Sequence, residues 1–199
     1  MIFNRSLTGA GARLVLLVCS LLSASGCSSL LVAVDSDAIE DPPGKRTLAQ
    51  QLADESIELK SVVNIHAADE DFKGSHINVV SYNGYVLIAG QVPDEALKKK
   101  AADVIRDIRH VRRIYNELEI ASPTASLVRT SDTWITAKIK SGLLAGSDTP
   151  GLHTKVVTEN GVVYLMGLVT SQEAERLASA AADYAGVQRV VRLFEIIDA

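Results

Sequence analysis

Two stretches decide the fold: NGYVLIAG at Asn83–Gly90 and NGVVYLMG at Asn160–Gly167. Widened, they become INVVSYNGYVLIAGQV (Ile77–Val92) and TKVVTENGVVYLMGLV (Thr154–Val169), which align without a gap. Val79, Val80, Asn83, Gly84, Val86, Gly90 and Val92 recur as Val156, Val157, Asn160, Gly161, Val163, Gly167 and Val169. Each stretch is a pair of β-rich runs joined by Asn-Gly. That dipeptide supplies the two positive φ angles of a type I′ turn, so each predicts a β-hairpin.

Helix-period segments flank both hairpins. After the second, Thr170 and Glu173 form a capping-box pattern, and Ala174, Leu177, Ala178, Ala181 and Ala182 mark an apolar face ending at Gly186 in the C′ position. After the first, Pro93-Asp94-Glu95 opens a helix, with proline in its first turn, and Ala101, Val104, Ile105 and Ile108 form the stripe. A last strand follows each helix, Val111–Ile120 and Val187–Ile196. Ahead of the second hairpin, Ile135, Ile139 and Leu143 predict a helix capped by Ser131 or Asp132. Ile57, Val62 and Ile65 do the same ahead of the first.

Each copy thus reads helix, strand, strand, helix, strand. The fold class is α+β, two αββαβ domains, each a three-stranded mixed sheet packed with two helices. The expected boundaries are a signal peptide at 1–26, a tether at 27–46, domain 1 at 47–122, a linker at 123–130 and domain 2 at 131–199.

The first residues carry targeting information. Arg5 and Arg13 precede Leu14–Leu22, an apolar run too short to span a bilayer, and small residues lead to Cys27. Ala24-Ser25-Gly26-Cys27 resembles the bacterial lipobox, which implies acylation of Cys27, palmitate included. An ordinary cleaved signal is the alternative. Cys19 lies in the removed segment, so the exported chain keeps one cysteine and no internal disulfide. Two or three acyl chains anchor a protein stably, at about 0.8 kcal/mol per buried methylene. Ser28 after the cysteine resembles the pattern of lipoproteins retained at the outer membrane. The Pro42-Pro43-Gly44 segment, following Asp35, Asp37, Glu40 and Asp41, reads as an extended tether.

Without residues 1–26 the chain has 18 basic and 24 acidic side chains, a formal charge of −6. This argues against a nucleic-acid partner. His66, His76, His110 and His153 are scattered without zinc-ligand spacing, and no nucleophile elbow or phosphate loop occurs. The expectation is a non-enzymatic protein with no cofactor, no metal and no small-molecule substrate.

Trp134 is the sole tryptophan. On a helix it lies about 100° from Ile135, beside Lys138 and near Ser141, with Lys140 and Leu144 further along. Such an edge suits a membrane interface, where indole settles at headgroup level and ammonium meets phosphate. A tryptophan packed in the core fits the spacing equally.

The segments Asp132–Leu144, Val157–Thr170 and Gly186–Ile196 resemble the BON domain, and the chain resembles dual-BON outer-membrane lipoproteins. The resemblance is stronger in the second copy, since His110 stands where that copy has Gly186 and Ser56-Ile57 where it has Thr133-Trp134. It implies phospholipid binding, a part in outer-membrane integrity, and domains facing the periplasm. The expected partner is an anionic phospholipid membrane met by Trp134, Ile135, Lys138, Lys140, Ser141 and Leu144. The alternatives are a protein adaptor docking outer-membrane assembly proteins, and a structural spacer.

Overall fold

The computed structural model describes residues 44–146 and 150–198; Cys27 and the signal and tether segments up to residue 43 lie outside them. The first copy runs α1 (Leu48–Ala68), β1 (His76–Tyr82), β2 (Tyr85–Val92), α2 (Glu95–Arg106) and β3 (Arg113–Ile120). The second runs α3 (Ser126–Ala145), β4 (Thr154–Glu159), β5 (Val162–Val169), α4 (Ser171–Ala182), β6 (Arg189–Arg192) and β7 (Glu195–Ile196). In each, a hairpin is antiparallel and the last strand joins parallel to its second arm: β1-β2-β3 in one sheet, β4-β5-β6 in the other. Both β6 and β7 pair with β5, Leu165 opposite Arg192 and Leu168 opposite Glu195, so the register runs unbroken across Leu193-Phe194. They are two pieces of the one last strand that the sequence predicts.

The turns have the backbone that Asn-Gly selects. Asn83 and Gly84 have φ of 53° and 76°, and Asn160 and Gly161 49° and 73°. Helix α4 starts at the expected capping box, with both Thr170 and Glu173 bonds present. Asp94 is the N-cap of α2, accepting from the Leu97 amide at 2.8 Å, so Pro93 precedes the cap. Gly186 (φ 96°) lies three residues beyond the Asp183 C-cap of α4, past the expected C′ position.

Alternation along the strands builds two cores per sheet. Val79, Val86, Ile88 and Leu118 face the helices and meet Ile57, Ile65, Leu97, Ala101 and Ile105. In α1 the buried set is Asp54, Ile57, Ser61 and Ile65; Val62, expected in the stripe, is exposed. In the second copy Val156, Val163 and Leu165 meet Ile135, Ile139, Leu143 and Leu177. The opposite strand faces form a third cluster, in which Val80, Tyr82, Leu87 and Ala89 pack against Val157, Val162, Tyr164 and Met166. The two sheets therefore stack back to back, and helices cover the outer faces. Burial in this middle layer pushes the Tyr164 phenol up to about 12. It raises that of Tyr82 too, with Arg46 opposing.

Polar contacts fasten the halves at their rims. Glu195 accepts from both terminal guanidinium nitrogens of Arg112 at 2.7 Å and from the Asn83 side-chain Nδ2 at 2.7 Å. The Tyr82 hydroxyl donates to the His153 carbonyl at 2.6 Å. Gln91 donates to Glu159 at 3.3 Å, and His76 lies 3.2 Å from the same carboxylate.

Candidate functional site

Helix α3 begins at Ser126, within the segment read as a linker, and its start has no side-chain cap. Asp132, expected as a cap, sits in the second turn and is buried. Its carboxylate accepts from the Asn160 amide at 2.8 Å and the Gly161 amide at 2.9 Å. The first copy repeats the device, with Asp54 bonded to the amides of Asn83 and Gly84 at 2.8 and 2.9 Å. There Ser81 Oγ and Arg46 add bonds of 2.6 Å each, and the Arg46 guanidinium lies 3.7 Å over the Tyr82 ring. The inward turn of a type I′ hairpin presents two amides to whatever lies beside it, and a buried carboxylate satisfies both.

This lock fixes the rotation of α3. Ile135, Ile139 and Leu143 point to the sheet, and Gly142 lies so close to Tyr184 that a Cβ there would come within 1.5 Å of its hydroxyl. The opposite face carries Leu127, Thr130, Trp134, Ala137, Ser141 and Leu144, which fall within an arc of about 100° at 100° per residue. Trp134 is 65% exposed and Leu127 81%. Thr130, Thr133, Trp134 and Ala137 line a shallow depression of about 390 Å³. Lys138 and Lys140 are exposed on the two flanks of this arc, and Ser141 and Leu144 are exposed along it.

Five of the six sequence-derived contact residues thus share an outer surface. Ile135 does not. It is buried against the α3-facing side of the sheet and near Gly186, because it belongs to the same i, i+4, i+8 stripe as Ile139 and Leu143. Leu127 and Thr130 were outside the expected helix, yet the longer α3 adds them to the exposed stripe. The remaining charges on α3 are Arg129, half-buried and bonded to the Thr124 carbonyl and Ser126 Oγ, and the buried Asp132. Every exposed charge of this helix is a lysine. Among the described residues no group of three or more His, Cys, Asp or Glu is placed to hold a metal, and no described helix is long and apolar enough to cross a membrane.

Doubled αββαβ units with this sheet order define the class of protein. The BON domain matches residues 53–122 and again 131–198, and the chain belongs to this family. It is similar to "Outer membrane lipoprotein DolP" of Haemophilus influenzae, 33% identical over 94% of this chain and 96% of that one. It is also similar to a "21 kDa hemolysin" of Actinobacillus pleuropneumoniae, 33% identical over 78% of this chain and 80% of the relative. The "Osmotically-inducible protein Y" of Escherichia coli is 32% identical over 61% of this chain and 62% of its own length.

Proposed function

We propose that this protein is an outer-membrane lipoprotein, anchored through Cys27, whose second BON domain rests α3 on anionic phospholipid and so supports envelope integrity. One observation carries the reading: Trp134 stands exposed on a helix face whose flanking charges, Lys138 and Lys140, are both positive. The whole chain is acidic, so attraction to an anionic surface has to be local. Each lysine near such a surface contributes about 1 kcal/mol, while the indole and Leu144 supply apolar burial. The similarity to a lipoprotein named for the outer membrane supports the anchor and its location.

Without the anchor such a patch binds weakly. With it, the domain meets the membrane at high effective concentration, and the patch selects among lipids. Flotation with phosphatidylglycerol vesicles, using the mature chain from Ser28 onward, tests the reading. Replacing Trp134 and Lys138 together with alanine should reduce vesicle binding at least tenfold. Unchanged binding would remove the assignment. Photocrosslinking from position 134 in cells adds the second arm: lipid adducts fit the membrane module, a single protein adduct the adaptor.

A further inference from the structure

Helix α1 carries an apolar seam that the lipid reading leaves unused. Leu52, Leu59 and Val63 are 58%, 68% and 57% exposed, and Ser56 completes a 52-56-59-63 spacing of four, three and four. At 100° per residue these positions span about 60°, directly opposite the buried Asp54, Ile57, Ser61 and Ile65. This is the repeat of a two-helix coiled coil, with leucine at both d positions and Ser56 and Val63 at a. Glu55 and Lys60 then fall at g and e, one on each flank. Both are exposed, and neither forms an ion pair among the described residues.

We infer that α1 pairs, parallel and in register, with α1 of a second copy of this chain. In a parallel pair the g residue of one helix meets the e residue five positions on in the other, so Glu55 faces the partner's Lys60, twice by symmetry. An anionic bilayer would use the lysine and repel the glutamate; a second α1 uses both. Helices α1 and α3 cover opposite outer faces of the back-to-back sheets, so α1 stays open when α3 lies on a membrane, and a partner joined through α1 turns its own α3 away and is held to that membrane by its Cys27 anchor alone. Two heptads bury less than the roughly 1,200 Å² of a standard interface. The pair is therefore weak in free solution and is populated by confinement to a surface.

The test uses the full-length protein in cells, with Ser56→Cys as the probe, wild type controlling for Cys27 and Gln172→Cys on α4 as the off-face control. Mild oxidation should give a Ser56→Cys product of twice the monomer mass, several-fold above both controls. Glu55→Lys and Lys60→Glu should each cut that product about fivefold, and the two together should restore it. Trp134→Ala should leave it unchanged, which separates this interface from the lipid site. A product no stronger than the controls, a product at another protein's mass, or no restoration in the charge swap would overturn the proposal. So would a strong product between Leu52→Cys and Val63→Cys chains with none from Ser56→Cys, since that is an antiparallel pairing.

Discussion

Asp132 and Gly161 are 29 positions apart in the chain, and the Asp132 carboxylate accepts the Gly161 amide at 2.9 Å in a buried site. The same carboxylate takes the Asn160 amide, so one side chain in a helix holds the whole hairpin turn. Losing it strands the buried Gly161 amide and the half-buried Asn160 amide, and each unsatisfied buried group costs about 1–3 kcal/mol. Asp132→Ala should lower unfolding stability by about 2–4 kcal/mol in urea titration, a large part of the stability of a small domain. Asp54→Ala should cost at least as much, because it also frees Ser81 Oγ and Arg46.

The layer between the sheets should fail in alkali. Burial raises the Tyr164 phenol to about 12, above its ordinary 10, so the unfolded chain loses this proton first. Stability contributed by the neutral phenol is complete below pH 10 and is lost as pH rises towards 12. Tyr82, in the same layer, shifts in the same direction. Tyr164→Phe should move the alkaline unfolding midpoint, followed by circular dichroism, to higher pH.

The rim between the halves should fail in acid. Burial works against the ionised Glu195 carboxyl, yet the bonds from Arg112 and Asn83 hold it below the usual carboxylate range. A lowered folded value means that the contribution is present above the ordinary glutamate range and disappears as pH falls through the folded one. Glu195→Gln should therefore be less stable than wild type at pH 7. That difference should close as the pH is lowered, measured by thermal unfolding at both ends.

Vesicle binding should depend on salt through two residues. Lys138→Ala with Lys140→Ala removes about 2 kcal/mol of attraction to an anionic surface, or about 30-fold in affinity. At 1 M salt, where the screening length falls to about 3 Å, the variant and the wild type should converge. Trp134 emission, which comes from the sole tryptophan, reports the binding directly.

The parts of this fold that were legible in the sequence are those whose signals are local. Asn-Gly fixes each turn by its own backbone preference, and Thr170 with Glu173 marks a helix start within four residues. Ser131-Asp132 looks like a cap in the sequence, whereas the partners of Asp132 lie across the sheet. Only the fold brings Asn160 and Gly161 to it. A cap there would also exclude the first six residues of α3, Leu127 and Thr130 among them. In α1, Ser61 and not Val62 faces inward because the phase set by Asp54, Ile57 and Ile65 outweighs the preference for burying a valine. The exposed stripe on α3 did not follow from periodicity alone: the spacing left Trp134 equally suited to the core, and Ile135, placed with it, is buried. Which leucines of α1 remain uncovered did not either, since α2 and the sheet could have claimed them.

The stacked sheets also set a timetable for the nascent chain. The first copy emerges from export with Val80, Tyr82, Leu87 and Ala89 bare on one side, and their cover follows 77 positions later. During this wait a half-built molecule shows a sticky β surface to its neighbours, so a holding chaperone has a defined window and a defined target.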